Sequence, residues 1–329
     1  MRRKNWNAFG LMAAMVLVAM AMGNAFDNAR WGANYFPNVE FTDQDGHKVR
    51  FYDDLLKNKI VAINLIYTHC VDACPLETAR LVQVQRKLAD RMGKEIFFYS
   101  ITIDPKRDTP EVLKAYAEKY HAGPGWLFLT GKQEDIDLVS KKLGLYTAPD
   151  PNNRDGHRPS LMIGNEATGQ WVRESATDNP SFLSMMMTTF MTTGTGRPAA
   201  ANTKNYAEVE PLNLDQGQYL FATRCSACHT IGHGDKIGPD LLGITNVRDR
   251  GWLARMIQAP DKLLEERDPI AVELFARYKQ VIMPNQRLSD EDTNKIIDFL
   301  KSQSTAPGTG GALEQKAGVV KAEAATASR

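Results

Sequence analysis

Ile60-Val61-Ala62-Ile63-Asn64-Leu65-Ile66-Tyr67 runs straight into Thr68-His69-Cys70-Val71-Asp72-Ala73-Cys74-Pro75. The first half is a short β-branched apolar run, the pattern of a strand buried on both faces. The second half puts a cysteine pair just past that strand's C-terminal end, with Pro75 placed to occupy the first turn of a helix. Leu76, Ala79, Leu81, Val82, Val84 and Leu88 supply apolar positions for that helix through Arg91. A strand over Glu95 to Ile103 and a helix over Thr109 to Tyr120 repeat the alternation, the helix opened by the cap-like Thr109-Pro110-Glu111. Trp126 to Thr130 reads as a third strand and Gln133 to Leu143 as a helix. Ser160 to Ile163 and Gln170 to Arg173 read as a terminal antiparallel pair. The rhythm predicts an α/β domain with a parallel core, in an order that fits a thioredoxin-like sheet.

All four cysteines are spent in two tight pairs, and each spacing selects a different chemistry. Cys225-Ser226-Ala227-Cys228-His229 has the haem c attachment pattern: two thiols add to the haem vinyl groups and the adjacent imidazole turns onto the iron. One covalent haem is expected. Zinc would need further ligands, yet no other cysteine remains and only His233 lies nearby. His233, four residues from His229, is too close to reach the opposite haem face and reads as a surface histidine. The first pair has three intervening residues, which suits a dithiol that binds a soft metal or closes into a disulfide. A structural disulfide over so short a loop gains little from restricting the unfolded chain. A cysteine at a helix N-terminus, by contrast, becomes reactive.

Between Met191 and Pro211 the chain loses hydrophobic periodicity and gains Gly, Pro, Ala and Thr, so residues 191–211 read as a linker after a domain spanning 31–190. Leu214 to Cys228 reads as a helix running into the haem motif, Gly251 to Gln258 as a short helix, and Asp290 to Ser302 as a final one. An all-α domain is therefore expected over 212–303. The stretch 304–329 lacks aromatics and is expected to be disordered.

Arg2, Arg3 and Lys4 precede an apolar run from Leu11 to Met22 and the small residues Gly23 and Ala25, so residues 1–25 read as a signal peptide or an uncleaved N-terminal anchor. Either reading places the following domains in the periplasm, soluble or anchored to the inner membrane. No cysteine near the cleavage region offers a site for a lipid anchor. With 40 basic against 39 acidic residues, no global field steers the chain onto nucleic acid or an anionic membrane.

Residues 31 to 190 resemble the Sco/SenC family, thioredoxin-fold proteins that bind copper and serve assembly of the copper centre of cytochrome oxidase. The resemblance rests on Thr68 to Pro75, on Ile103-Asp104-Pro105-Lys106-Arg107-Asp108-Thr109-Pro110, and on His157. It implies one copper ion held by Cys70, Cys74 and His157, a soft-sulfur and imidazole set suited to a one-electron site. The chain carries Val71 after its first cysteine and Asp155-Gly156 before the histidine, where family members commonly have a proline and an adjacent aspartate. His69 is the competing ligand, although adjacent side chains at a strand end point apart. Asp104, Arg107 and Asp108 read as a capped turn into the second helix.

Residues 212 to 303 resemble a class I cytochrome c domain, a likeness that Gly238-Pro239-Asp240-Leu241 reinforces. The resemblance implies that the Pro239 carbonyl accepts the His229 imidazole proton and that a methionine supplies the sixth iron ligand. Met283, before Pro284 and the last helix, is the candidate; Met256, at helical spacing within Trp252 to Ile257, competes and reads as core. Three functions follow: a copper chaperone for the copper subunit of the oxidase or another copper or thiol client, a thiol:disulfide oxidoreductase, and a copper-haem redox relay. The chaperone ranks first because His157 completes a ligand set that a pure thiol reductase does not need. On that ranking a metallochaperone and electron-transfer protein is favoured, with a thiol:disulfide oxidoreductase built on Cys70 and Cys74 as the enzymatic alternative.

Overall fold

The computed structural model describes residues 31–71, 73–146, 159–193 and 215–305. They form two compact units, one built on a sheet and one helical. The segment read as a signal or anchor, residues 194–211 of the expected linker and 306–329 of the expected tail lie outside the described residues. Among the described residues no helix is long and apolar enough to cross a membrane.

The strands are β1 (Glu40–Asp43), β2 (Lys48–Arg50), β3 (Ile60–Ile66), β4 (Ile96–Thr102), β5 (Trp126–Gly131), β6 (Ser160–Asn165) and β7 (Gln170–Ser175). They lie in the order β2-β1-β5-β4-β3-β6-β7. The central three are parallel, while β1 and β6 join them antiparallel. Helices α1 (Cys74–Lys87), α2 (Pro110–Tyr120) and α3 (Gln133–Lys142) connect successive strands from β3 to β6. Every residue of β3 is buried. Its Val61, Ile63 and Leu65 share one core with Tyr99, Ile101 and Leu129 of the neighbouring strands and with Ile136 and Val139 of α3. The opposite face is aromatic: Trp126 meets Phe98 at 5.5 Å and Tyr116 of α2 meets Phe128 at 6.0 Å. Asn64, the polar residue of β3, lies on that face. Its Oδ1 accepts from Ser100 Oγ (2.8 Å), which in turn accepts from Trp126 Nε1 (2.9 Å), so a buried polar group is satisfied rather than stranded.

The strands β1 and β2 and the π-helical turn Phe51–Leu56 add to what the periodicity predicts. So does α4 (Pro180–Met185), which continues through helical turns Met186–Phe190 and Met191–Thr193. The last turn lies in the stretch read as the start of the linker, and Asn165 of β6 ties it down by donating to the Met191 carbonyl (2.8 Å).

The helical unit comprises α5 (Gln216–Leu220), α6 (Ile244–Val247), α7 (Arg250–Gln258), α8 (Pro260–Glu265), α9 (Pro269–Arg277) and α10 (Asp290–Thr305). A π-helical turn, Phe221–Cys225, prolongs α5, so the first haem-motif cysteine ends it. Helix α5 crosses α10 at Gly217, where a Cβ would stand 2.2 Å from the Lys295 carbonyl oxygen. Glycine is what lets the two backbones approach. The crossing buries Phe221 against Ile296, Phe299 and Leu300. Aspartates cap the middle helices: Asp249 accepts from Trp252 N (3.0 Å), and Asp268 accepts from Ile270 N (3.1 Å) and Ala271 N (3.0 Å). Helix α10 extends past Ser302 to Thr305, into the first residues of the expected tail.

Candidate functional site

The dithiol sits where β3 hands over to α1. Cys70 is 3% and Cys74 0% exposed, Cys74 is the first residue of α1, and no disulfide joins them. The approach to Cys70 is fixed from below by Asp108, a fully buried carboxylate. Its Oδ1 accepts from Thr68 Oγ1 (2.6 Å), and its Oδ2 accepts from Thr68 N (3.1 Å) and from Thr102 Oγ1. One side chain therefore ties the ends of β3 and β4 to the start of α2. A carboxylate removed from water persists only with such donors. The segment is the capped turn into α2 that its sequence suggests, with Thr109 as the cap, and Asp108 in addition braces the dithiol loop. Nothing in the charged run around it signals burial, which depends on the strands that meet there.

His69 is exposed. Its Nε2 lies 2.9 Å from Arg107 Nη1 and 3.6 Å from Asp104 Oδ2, and its ring meets Tyr67 edge-on at 4.9 Å. A guanidinium only donates, so Nε2 accepts and is committed to Arg107. His157, the expected third copper ligand, and Asp72 lie outside the described residues. Among the described residues no three His, Cys, Asp or Glu side chains are grouped to hold a metal ion. The chemistry of two buried thiols suits a soft metal such as Cu(I).

The helical unit encloses about 1340 Å³ of open space, its mouth included, walled mainly by aliphatic and aromatic side chains. Cys225, Cys228, His229 and Met283 all line it, and so does Met256. Met256 of α7 is therefore a cavity-wall residue rather than the core residue its spacing suggests. His233 is exposed in the turn after His229.

The imidazole of His229 is oriented by its surroundings. Nδ1 lies 2.9 Å from the Pro239 carbonyl oxygen, which can only accept. Nδ1 therefore carries the proton and Nε2 is the nitrogen left to bind a metal. Burial pulls the imidazole pKa below its ordinary value, against the opposing pull of the Pro239 bond, and favours the neutral ligand form. The ring lies on Gly238, where a Cβ would stand 2.7 Å from His229 Cε1. Behind it, Asp240 gathers the loop: its carboxylate accepts from Gly232 N (2.8 Å), Gly234 N (2.6 Å), Leu242 N (2.8 Å) and Thr230 Oγ1 (3.0 Å). Burial pushes the Cys225 thiol up to about 12 and the Cys228 thiol to about 11. Two thiols, an imidazole of fixed tautomer and thioether sulfurs around one apolar cavity fit a haem c.

Fold and site define a class: a thioredoxin-fold domain with a dithiol at its strand-helix junction, followed in the same chain by a helical cytochrome domain. The SCO1/SenC family profile matches residues 29–165, and the cytochrome c profile matches residues 214–304. The chain is 30% identical over 160 residues to a SCO2-like protein of Rickettsia felis, covering 46% of this chain and 73% of that one. It is 33% identical over 113 residues to a putative copper-binding protein of Stutzerimonas stutzeri, covering 34% of this chain and 53% of that one. The crystal structure of a SCO1/SenC family lipoprotein from Bacillus anthracis str. Ames shares 26% identity, covers 48% of this chain and 94% of that one, and superposes with a TM-score of 0.41. The chain belongs to the SCO1/SenC family and carries a cytochrome c domain.

Proposed function

We propose that the protein is a periplasmic copper chaperone, serving the copper subunit of cytochrome c oxidase or another copper or thiol client. One observation carries the reading: in a chain of this family, two undisulfided thiols are buried at the β3–α1 junction on a loop braced by a buried acid. Cys70 and Cys74 hold the copper cargo as thiolates, and His157 completes the set and supports Cu(II). In the second domain Cys225 and Cys228 would attach the haem, while His229 and Met283 would supply ligands to its iron. The haem, when bound, supplies a one-electron couple, the same stoichiometry as a copper oxidation-state change. Pro239 holds the His229 ring in its metal-binding tautomer, and the surrounding wall is mainly apolar.

Copper titration of the reduced holoprotein, followed by transfer to an apo-oxidase copper domain, tests this reading. One copper bound tightly and passed to the acceptor is the expected result. Steady turnover on a disulfide substrate without copper, with no copper transfer, would replace the chaperone by a thiol:disulfide oxidoreductase. Acid-acetone extraction tests the haem assignment. Haem that leaves the polypeptide, or that stays attached after Cys225→Ser with Cys228→Ser, would refute covalent attachment at this motif.

A further inference from the structure

The segment that carries Met283, between α9 and α10, has no helix or strand of its own. Lys279, Gln280 and Arg287 adopt left-handed backbone conformations, with φ of 54°, 58° and 52°, which non-glycine residues rarely take. Such a stretch keeps one shape only where hydrogen bonds hold it. Backbone bonds from Gln280 N to the Phe275 carbonyl (2.8 Å) and from Val281 N to the Tyr278 carbonyl (3.0 Å) do so, and side-chain bonds add to them. Tyr278 OH donates to Asp235 Oδ2 (2.7 Å), Gln286 Nε2 donates to the Arg224 carbonyl (2.8 Å), and Asn285 Nδ2 donates to Asp261 Oδ1 on α8 (3.0 Å).

The first two ties differ from the third in what they reach. Asp235 lies in the loop that follows His229, and Arg224 directly precedes Cys225, so both belong to the piece of chain that carries the haem motif. Met283 lies between Tyr278 and Gln286 and is strung from that piece at both ends. The orientation of the Gln286 amide is fixed, because the Arg224 carbonyl can only accept and must face the nitrogen. Its Oε1 is left buried without a hydrogen-bond partner, at the wall of the haem cavity. Arg277 reinforces the other tie, with Nη2 3.5 Å from Asp235 Oδ2 and its guanidinium 5.5 Å from the Tyr278 ring centre.

We infer that Tyr278 and Gln286 are positioning residues, a two-point latch that keeps the Met283 sulfur seated against the haem iron. The inference rests on the assignment of Met283 as axial ligand, and the experiment separates the two. In the full-length ferric holoprotein, imidazole is added as an external ligand, and loss of the methionine–iron charge-transfer band is timed. Tyr278→Phe and Gln286→Leu should each speed imidazole entry about tenfold, the scale of one lost hydrogen bond. The two together should speed it about a hundredfold, because the ties act at opposite ends of the segment. Asp235→Asn leaves one acceptor where two oxygens now accept, from Asp240 N and from Tyr278 OH, and should speed entry by no more than Tyr278→Phe does. If Met283→Ala abolishes the band but both latch variants take up imidazole at the parent rate, the latch is wrong and the ligand assignment stands. Entry that rises only in step with lost global stability, followed by thermal unfolding, also overturns the latch. A band that survives Met283→Ala overturns the ligand assignment itself.

Discussion

Gly238 and Asp240 flank the proline whose carbonyl orients His229, and each shows how one residue sets the chemistry of the haem pocket. With the ring already lying on Gly238, a Cβ 2.7 Å from Cε1 must push the imidazole aside. Gly238→Ala should therefore leave the haem covalently attached yet shift its reduction potential, and should cost about 1–3 kcal/mol of stability as overpacking. Potentiometry and denaturant unfolding of the holoprotein check both. Asp240 makes a pH prediction. Burial alone would raise its carboxyl, but hydrogen bonds from the Leu242, Gly232 and Gly234 amides and the Thr230 hydroxyl outweigh burial and hold it at about 2. A carboxyl lower in the folded than in the unfolded state stabilises the fold above its unfolded pKa, about 4, and loses that contribution as pH falls toward about 2. The full linkage is about 2 kcal/mol, reduced to about 1 kcal/mol by the solvent that reaches the group. Acid titration of stability should thus fall more steeply for the parent than for Asp240→Asn; parallel curves would remove Asp240 from the account.

Asp108 and Gly217 act at the level of elements, Asp108 where β3, β4 and α2 meet and Gly217 where α5 crosses α10. Asp108→Ala strands the Thr68 amide and the Thr68 and Thr102 hydroxyls it now satisfies, and should cost about 2–4 kcal/mol while loosening the dithiol loop. Copper affinity, measured by competition titration of the folded variant, should fall with it, and Asp108→Asn should lose less, since one carbonyl oxygen still accepts. Gly217→Val drives a side chain into the Lys295 carbonyl of α10 and should destabilise the helical domain by about 3 kcal/mol without releasing haem. These junctions also explain what the sequence does and does not disclose. The β3–α1–β4–α2–β5 core is readable because a strand buried on both faces spells an unbroken apolar run and because Thr109-Pro110 marks a helix start. The two cysteine pairs are readable because ligand chemistry constrains residue types and spacing within a few adjacent positions. Strands β1 and β2 are not: Glu40–Asp43 and Lys48–Arg50 are short and half polar, and pairing with β5 and with each other defines them. Helix α8 is too short for periodicity to speak, whereas α9 is as long as α7 and its Asp268-Pro269 start signal is legible. The buried state of Asp108, and the sharing of one cavity wall by Met256 and Met283, are decided by packing between distant segments.

At the scale of the molecule the question is why a Sco/SenC dithiol and a cytochrome c domain share one chain, and electron counting constrains the answer. A dithiol closing to a disulfide releases two electrons, whereas haem iron takes one. On the proposed assignment, copper at Cys70, Cys74 and His157 would change by one electron, so the two sites would match only when the first is metal-loaded. The oxidation state of copper also decides how well it is held, since two thiolates favour Cu(I) and the imidazole is needed for Cu(II). His157→Ala should accordingly keep Cu(I) binding and lose the thiolate-to-Cu(II) charge-transfer absorption, with His69→Ala, committed to Arg107, as the silent control. The same matching predicts a kinetic result. When the reduced, copper-loaded protein receives less than one equivalent of oxidant, the haem and copper signals should settle to a common potential at a rate independent of protein concentration. Copper-free dithiol protein should react slowly, because its first electron leaves an unstable thiyl species. An apo-dithiol that reduces its own haem as fast as the copper-loaded form does would place the haem in thiol redox chemistry, and the oxidoreductase would then displace the chaperone.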